Sequence, residues 1–354
     1  MSDQAQGLRD LADQARRDPR GPTPYVSGAP DGAHTSAGAP IGVTSSAGPT
    51  PAVTDEPHLA VTSVRQTARA ATISGPRRRA RVVAVTSGKG GVGKTNFSTN
   101  LSLTLAQSGQ RVIVLDADLG LANLHVVLGI TPRYHLEHVM RGERTLREVL
   151  YPGPCDIQII GGGSGITELA NLDQRTRDVF VNGLQELDSL ADVILIDTGA
   201  GLSHNVLAFL CAVDEIIVVT TPEPTAITDA YATIKVVSRE NPSARIMLVI
   251  NMAHSEAEAR NVADKLTMIA HQFLRIDIDC LGYIPQDPAV TRAVRAQKPF
   301  SLSEPGSPAA RSVAQIAAQL GYRQAAASNS GVGGLLNRMQ RFFGYRDVAV
   351  ARRR

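Results

Sequence analysis

The 354-residue chain is long enough for one large or two small domains, and its apolar content is ordinary. A formal net charge of only +3 argues against a protein that coats nucleic acid through its overall field, and three scattered cysteines, Cys155, Cys211 and Cys280, offer neither a disulfide framework nor a metal-binding pair. No run approaches the ~18 apolar residues of a membrane span, and the acid-bearing start is unlike a signal peptide, so a cytosolic chain, soluble or at most surface-bound, is expected.

Residues 1–17 place Leu8, Leu11 and alanines at helical spacing, which predicts a short isolated helix. Residues 18–78 are rich in Pro, Gly, Ser, Ala and Thr, and such a segment buries too little apolar surface to offset its ordering entropy, so a disordered linker is expected. A folded domain is expected over 79–322. There, short β-branched runs alternate with helical stretches: Val82–Thr86, Val112–Leu115, Ile157–Ile160, Val193–Ile196, Glu215–Val219, Ile246–Ile250 and Ile276–Tyr283. Strands apolar on both faces, separated by helices of about a dozen residues, predict an α/β fold with a mainly parallel sheet covered on both sides. Ligands on such sheets bind at the carboxyl ends of the strands.

The first strand runs into Gly88-Lys89-Gly90-Gly91-Val92-Gly93-Lys94-Thr95, followed by Asn96 and a helical run. This is the strand–loop–helix setting of a P-loop. Its glycines let backbone N–H groups turn toward phosphate oxygens, and the helix N-terminus adds its positive end. Lys94 is expected on the β- and γ-phosphates, and the Thr95 hydroxyl on Mg²⁺. The second strand closes on Asp116-Ala117-Asp118, where one carboxylate can hold the metal and another two residues on can orient water. Asp197 ends a later apolar strand and precedes Thr198-Gly199-Ala200-Gly201, a mobile-loop composition beside the γ-phosphate.

Beyond a polar tether at 323–331, residues 332–344 place Val332, Leu335, Leu336, Met339, Phe342 and Phe343 on one helical stripe, with Asn337, Arg338, Gln340 and Arg341 opposite and a basic tail at 345–354. An apolar stripe is usually core. The tether and the purely cationic polar face instead suit the surface of an anionic membrane.

The second lysine of GKGGVGKT, Lys89, resembles the signature of the deviant Walker A ATPases, the MinD and ParA family. The runs DADLGLANLHVVLGI, YHLEHVMRGERTLREVL, IIGGGSG, LIDTGAGLSHNVLAF and TTPEPTAITDAYATIK look like the flagellar number regulators within it, the FlhG (FleN, YlxH) group. The resemblance covers about 240 residues and implies a slow ATPase, stimulated by a partner or membrane, that dimerises on ATP. Lys89 would reach the partner's nucleotide, Asp118 would position water, and Asn251 with Pro285 and Asp287 would flank the adenine. No guanine-reading N-K-x-D stands where GTPases carry it, so ATP is preferred. Asp3, Gln4, Ala5, Leu8 and Arg9 are similar to a peptide of that group that stimulates an FlhF-type GTPase. A flagellar switch-complex protein or a flagellar transcription regulator is a further partner the resemblance implies, at the cell pole; no specific nucleic acid is expected. A ParA-like partitioning ATPase and a division-site MinD are the alternatives. One departure is His125, where the family usually carries an acid.

Overall fold

The computed structural model describes residues 79–118, 123–162, 186–322, 331–339 and 342; the N-terminal peptide, the linker, the tether, Phe343 and the basic tail lie outside the described residues. Among those described, eight strands make one sheet: β1 (Arg81–Ser87), β2 (Val112–Ala117), β3 (Tyr151–Pro152), β4 (Gln158–Ile160), β5 (Val193–Ala200), β6 (Glu215–Thr220), β7 (Arg245–Ala253) and β8 (Asp279–Pro285). Their order is β3-β4-β2-β5-β1-β6-β7-β8, and every pairing is parallel except β3 with β4.

The helices that bear on the site are α1 (Lys94–Gln107), α2 (Leu124–Leu128), α3 (Leu136–Met140), α4 (Leu146–Val149), α5 (His204–Ala212), α6 (Pro224–Glu240), α7 (Glu256–Leu274), α8 (Pro288–Arg295), α9 (Phe300–Ser303) and α10 (Pro308–Tyr322), with a last helix, α11, over 331–339. Alternation along β1 explains how they divide. Val82 and Ala84 point into one core with residues of α3 to α7, while Val83 and Val85 point into the other with α1, α2, α9 and α10. Every residue of β1 and of β2 is buried, as expected of central parallel strands.

β1 hydrogen-bonds β5 on one side and β6 on the other, so the strand order reverses beside it. That is the switch point at which open α/β sheets take ligands, and the loop that follows β1 emerges there.

The sequence-expected strands are present with shifted ends. β3 is additional: two residues pair antiparallel on the sheet edge, where Pro152 loses no ladder bond that a central strand would need. The last strand begins at Asp279 instead of Ile276. Arg275 ends α7 in the left-handed region, and Ile276 and Ile278 pack against the core before pairing with β7 starts at Met247. Their apolar alternation therefore reflects packing, not a ladder.

Candidate nucleotide site

The loop 88–95 turns tightly between β1 and α1. Gly93 caps α1 with φ 84° and Gly91 has φ 80°, a conformation that side-chain-bearing residues seldom adopt. Gly88 is needed for another reason: a Cβ there would lie 2.2 Å from the Asp229 carbonyl oxygen on α6. Around Gly90 and Gly91 a Cβ would meet nothing within 4 Å, so the cradle is open where phosphate oxygens would enter.

Sheet register brings the charged side chains together. Asp116 on β2 pairs directly with Asp197 on β5, and Asp197 pairs with Val85 on β1 just before the loop. Lys94 is buried, with its Nζ 3.0 Å from Asp197 Oδ1 and 3.5 Å from Thr95 Oγ1. The Ser98 hydroxyl, one helical turn beyond Lys94, donates to the same Asp197 oxygen at 2.7 Å. Asp197 Oδ2 is buried and has no hydrogen-bond partner among the described residues. Asp116 accepts from the backbone N–H of Asp118 at 3.1 Å and of Leu124 at 3.2 Å. Burial and the neighbouring Asp197 charge still push its carboxyl up to about 7, against the opposing pull of those two N–H groups and Lys94.

Two buried carboxylates, one with an orphaned oxygen, and a hydroxyl beside a lysine form an incomplete set of hard oxygen donors. No described cluster of three or more His, Cys, Asp or Glu could hold a metal unaided. This pattern fits Mg²⁺, which takes one or two carboxylates and completes its shell with water and phosphate oxygens. The donor set therefore fits magnesium arriving with a nucleotide.

Thr198, Gly199 and Ala200, expected in a loop, continue β5 instead, and Asp118, half-buried, lies over them: its Oδ1 is 3.5 Å from where a Cβ on Gly199 would be. This end of β5 is tied to β1 by Thr198 Oγ1 donating to the Val85 carbonyl and by the Gly201 N–H donating to the Ser87 carbonyl.

Lys89 is held by its own chain, with Nζ 2.8 Å from Glu223 Oε2 and 3.0 Å from Thr225 Oγ1 at the start of α6. Both partners in that ion pair are well exposed, so it is worth about 0–1 kcal/mol and is readily given up. Asn251 donates from Nδ2 to the Val92 carbonyl at 2.8 Å, tying the end of β7 to the phosphate loop, and Pro285 lies opposite Ala253 at the end of β8. Asp287, which the resemblance sets beside the adenine, has both carboxylate oxygens engaged by helix starts. Its Oδ1 accepts from Ala289 N–H at the start of α8, and its Oδ2 from Ala309 N–H at the start of α10, so the structure gives it a capping role. Asn96 stands in the first turn of α1, where its carbonyl accepts from Asn100.

The terminal helix departs most from expectation. Val332, Leu335, Leu336 and Met339 are buried in the same core as α5, α6 and α7, and Phe342 is partly buried with its ring 5.1 Å from that of His204. Arg338 donates to the Ala212 carbonyl at 2.8 Å and pairs with Asp214, while Asp188 accepts the Val332 N–H at 3.0 Å. The stripe is therefore docked in this single copy and not held free on a tether. Val332, Leu335, Leu336 and Met339 share one buried face, and the hydrogen-bond and ion-pair partners of their helix come from residues more than a hundred positions away.

Ser98, Glu223 and Thr225 were missed in the sequence reading. Only Ser98 carried a signal there, its i+4 spacing from Lys94, which puts both on one helix face.

Residues 83–300 match the CobQ/CobB/MinD/ParA nucleotide binding domain. The chain is 41% identical over 237 residues to the antiactivator FleN of Pseudomonas aeruginosa, covering 67% of this chain and 85% of that protein. It is 38% identical over 245 residues to the flagellum site-determining protein YlxH of Helicobacter pylori, covering 68% and 81%. The fold superposes with a TM-score of 0.56 on the septum site-determining protein MinD of Pyrococcus horikoshii complexed with Mg-ADP, at 25% identity, covering 68% of this chain and 96% of that one. The chain therefore belongs to the MinD/ParA family of P-loop ATPases, in the group of the flagellar regulators FleN and YlxH.

Proposed function

We propose that this protein is an ATP-operated switch that sets flagellar number or placement: ATP joins two copies, the joined form attaches to the membrane, and hydrolysis returns single copies. The observation that carries the reading is the buried Asp116–Asp197 pair against Lys94 at the mouth of the open loop. Lys94 would turn from Asp197 to the β- and γ-phosphates. The Thr95 hydroxyl, with Asp116 and Asp197, would hold magnesium, whose charge neutralises the developing negative charge of phosphoryl transfer. Asp118, above Gly199, would orient the attacking water. Lys89 would leave Glu223 and Thr225 and reach the second copy's nucleotide, a move opposed by one weak exposed ion pair and one exposed hydrogen bond.

The docked terminal helix supports a gated form of membrane attachment. Burying four large apolar side chains contributes gross about 6–12 kcal/mol, so the helix leaves its groove only for a comparably apolar destination. Phe342 rests on His204, three residues past Gly201 just after β5, so a change there would reach the dock. Two released helices on a joined pair would bind an anionic bilayer with avidity gains of roughly 10²–10⁴. Removing residues 332–344 is expected to abolish ATP-dependent sedimentation with anionic liposomes while sparing nucleotide uptake. Equal sedimentation by the shortened chain would end the membrane role.

The N-terminal Asp3, Gln4, Ala5, Leu8 and Arg9 carry the remaining part of the reading, stimulation of an FlhF-type GTPase. A peptide of residues 1–20 is expected to accelerate GTP hydrolysis by such an enzyme, and no acceleration would remove this role.

A further inference from the structure

Five described residues other than glycine have positive φ, and four of them lie in turns or at a helix end: Cys155 and Asp156 in a 3₁₀ turn, Arg275 after α7, and Gln297 after α8. The fifth, Met252, lies inside strand β7 with φ 57°. No cap or reverse turn accounts for it. A bulge does: Ile250 pairs with Tyr283 and Ala253 with Pro285, so β7 carries one residue more than β8 over this step. Bulges in parallel pairs are rare, and they gather beside functional sites where they re-aim a side chain. Left-handed backbone at a non-glycine residue costs free energy and persists where the surroundings enforce it.

The consequence here is specific. Asn251 turns inward and donates to the Val92 carbonyl of the phosphate loop, while Met252 is turned outward and left 40% exposed. The Met252 Cε lies 3.4 Å from where a Cβ on Gly93 would be, so the thioether projects over the last glycine of the loop, where α1 begins. An exposed, strained, polarizable side chain at the rim of a phosphate cradle suits the face of a flat aromatic group attached to those phosphates. Resting on the nucleotide reading above, we infer that Met252 is a positioning residue for the nucleotide base, a thioether cover set over the purine face by the β7 bulge. The carboxamide of Asn251 fixes the loop, and the next residue reads what the loop carries.

The test is calorimetry on the full chain with two magnesium-loaded probes: ADP, which has the base, and inorganic triphosphate, which lacks it. Met252→Ala is expected to weaken ADP binding by roughly two- to tenfold and leave inorganic triphosphate unchanged. Met252→Leu, which restores an apolar cover of similar volume, is expected to recover most of the loss. Unchanged ADP binding in Met252→Ala would overturn the inference, and so would an equal loss with both probes, because the effect would then lie in the loop and not on the base. Failure of the wild-type chain to take up either probe would overturn the nucleotide reading itself and this inference with it, an outcome distinct from a defect confined to the variant. Met252→Gly should be at least as heat-stable as Met252→Ala, the reverse of the usual order in a strand. A clearly more stable alanine variant would contradict the strain on which the assignment stands.

Discussion

Asp118→Ala is expected to slow ATP turnover by roughly 10²–10⁴-fold, the range associated with losing a positioned acid–base group, while ATP uptake stays within a few-fold of wild type. The separation of the two effects follows from geometry. It is the backbone N–H of Asp118, not its side chain, that donates to Asp116, so truncation leaves the buried carboxylate pair and its support intact. Lys94 bonds to Asp197, and Ser98 holds the same oxygen, so the phosphate side of the site is also untouched. What is lost is the carboxylate above Gly199, near the end of β5. In the proposed switch hydrolysis would return single copies, so the variant should accumulate as a dimer on ATP in size-exclusion chromatography, with phosphate release measured in parallel. Wild-type turnover in Asp118→Ala would show that another group positions the water.

The second large effect is on stability and comes from Asp116. Its carboxyl is raised from 3.8 to about 7, first by burial and then by Asp197. A raised acid holds its proton in the folded chain after the unfolded chain has lost it. Stability from this group is therefore fully present below about pH 4 and declines as pH rises toward 7, with no further change above that. The whole span is worth at most roughly 4 kcal/mol, with a slope of up to ~1.4 kcal/mol per pH unit. Asp116→Asn should remove this slope, so the midpoint difference between variant and wild type should change steadily between pH 4 and 7 and level off above. Magnesium with nucleotide should flatten the wild-type slope, since a cation beside the ionised carboxylate reverses the preference for the proton. Thermal unfolding across that range checks both. Parallel curves for wild type and Asp116→Asn would mean that the Asp116–Asp197 repulsion is relieved by other means.

Much of the sheet and the phosphate loop was legible because local chemistry dictates them. Only glycine sits easily at the φ values of Gly91 and Gly93, and Asp116 and Asp197 stand out as acids terminating buried β-branched runs. What was not legible depends on long-range pairing. The sequence shows that Val332, Leu335, Leu336 and Met339 share a face, but not that Asp188, Ala212 and Asp214 supply the partners of the helix that bears them. The sequence likewise puts Asp287 after a strand, but does not show that its two oxygens accept from the first N–H groups of α8 and α10, one of them 22 positions away. Met252 gives no sequence signal at all, since its conformation arises from a mismatch in length between β7 and β8. The two-residue β3 and the misplaced start at Ile276 have the same origin: pairing defines a strand, and apolar alternation only suggests one.

All of the chemistry rests on the loop at 88–95 binding a magnesium-loaded triphosphate between Lys94 and the two buried acids. Calorimetric titration of Mg·ATP into the wild-type chain and into Lys94→Ala tests this most directly. The expected result is one nucleotide per wild-type chain, dependent on magnesium, with uptake lost in Lys94→Ala. Uptake that is the same in both chains, or absent from the wild type, would contradict the account.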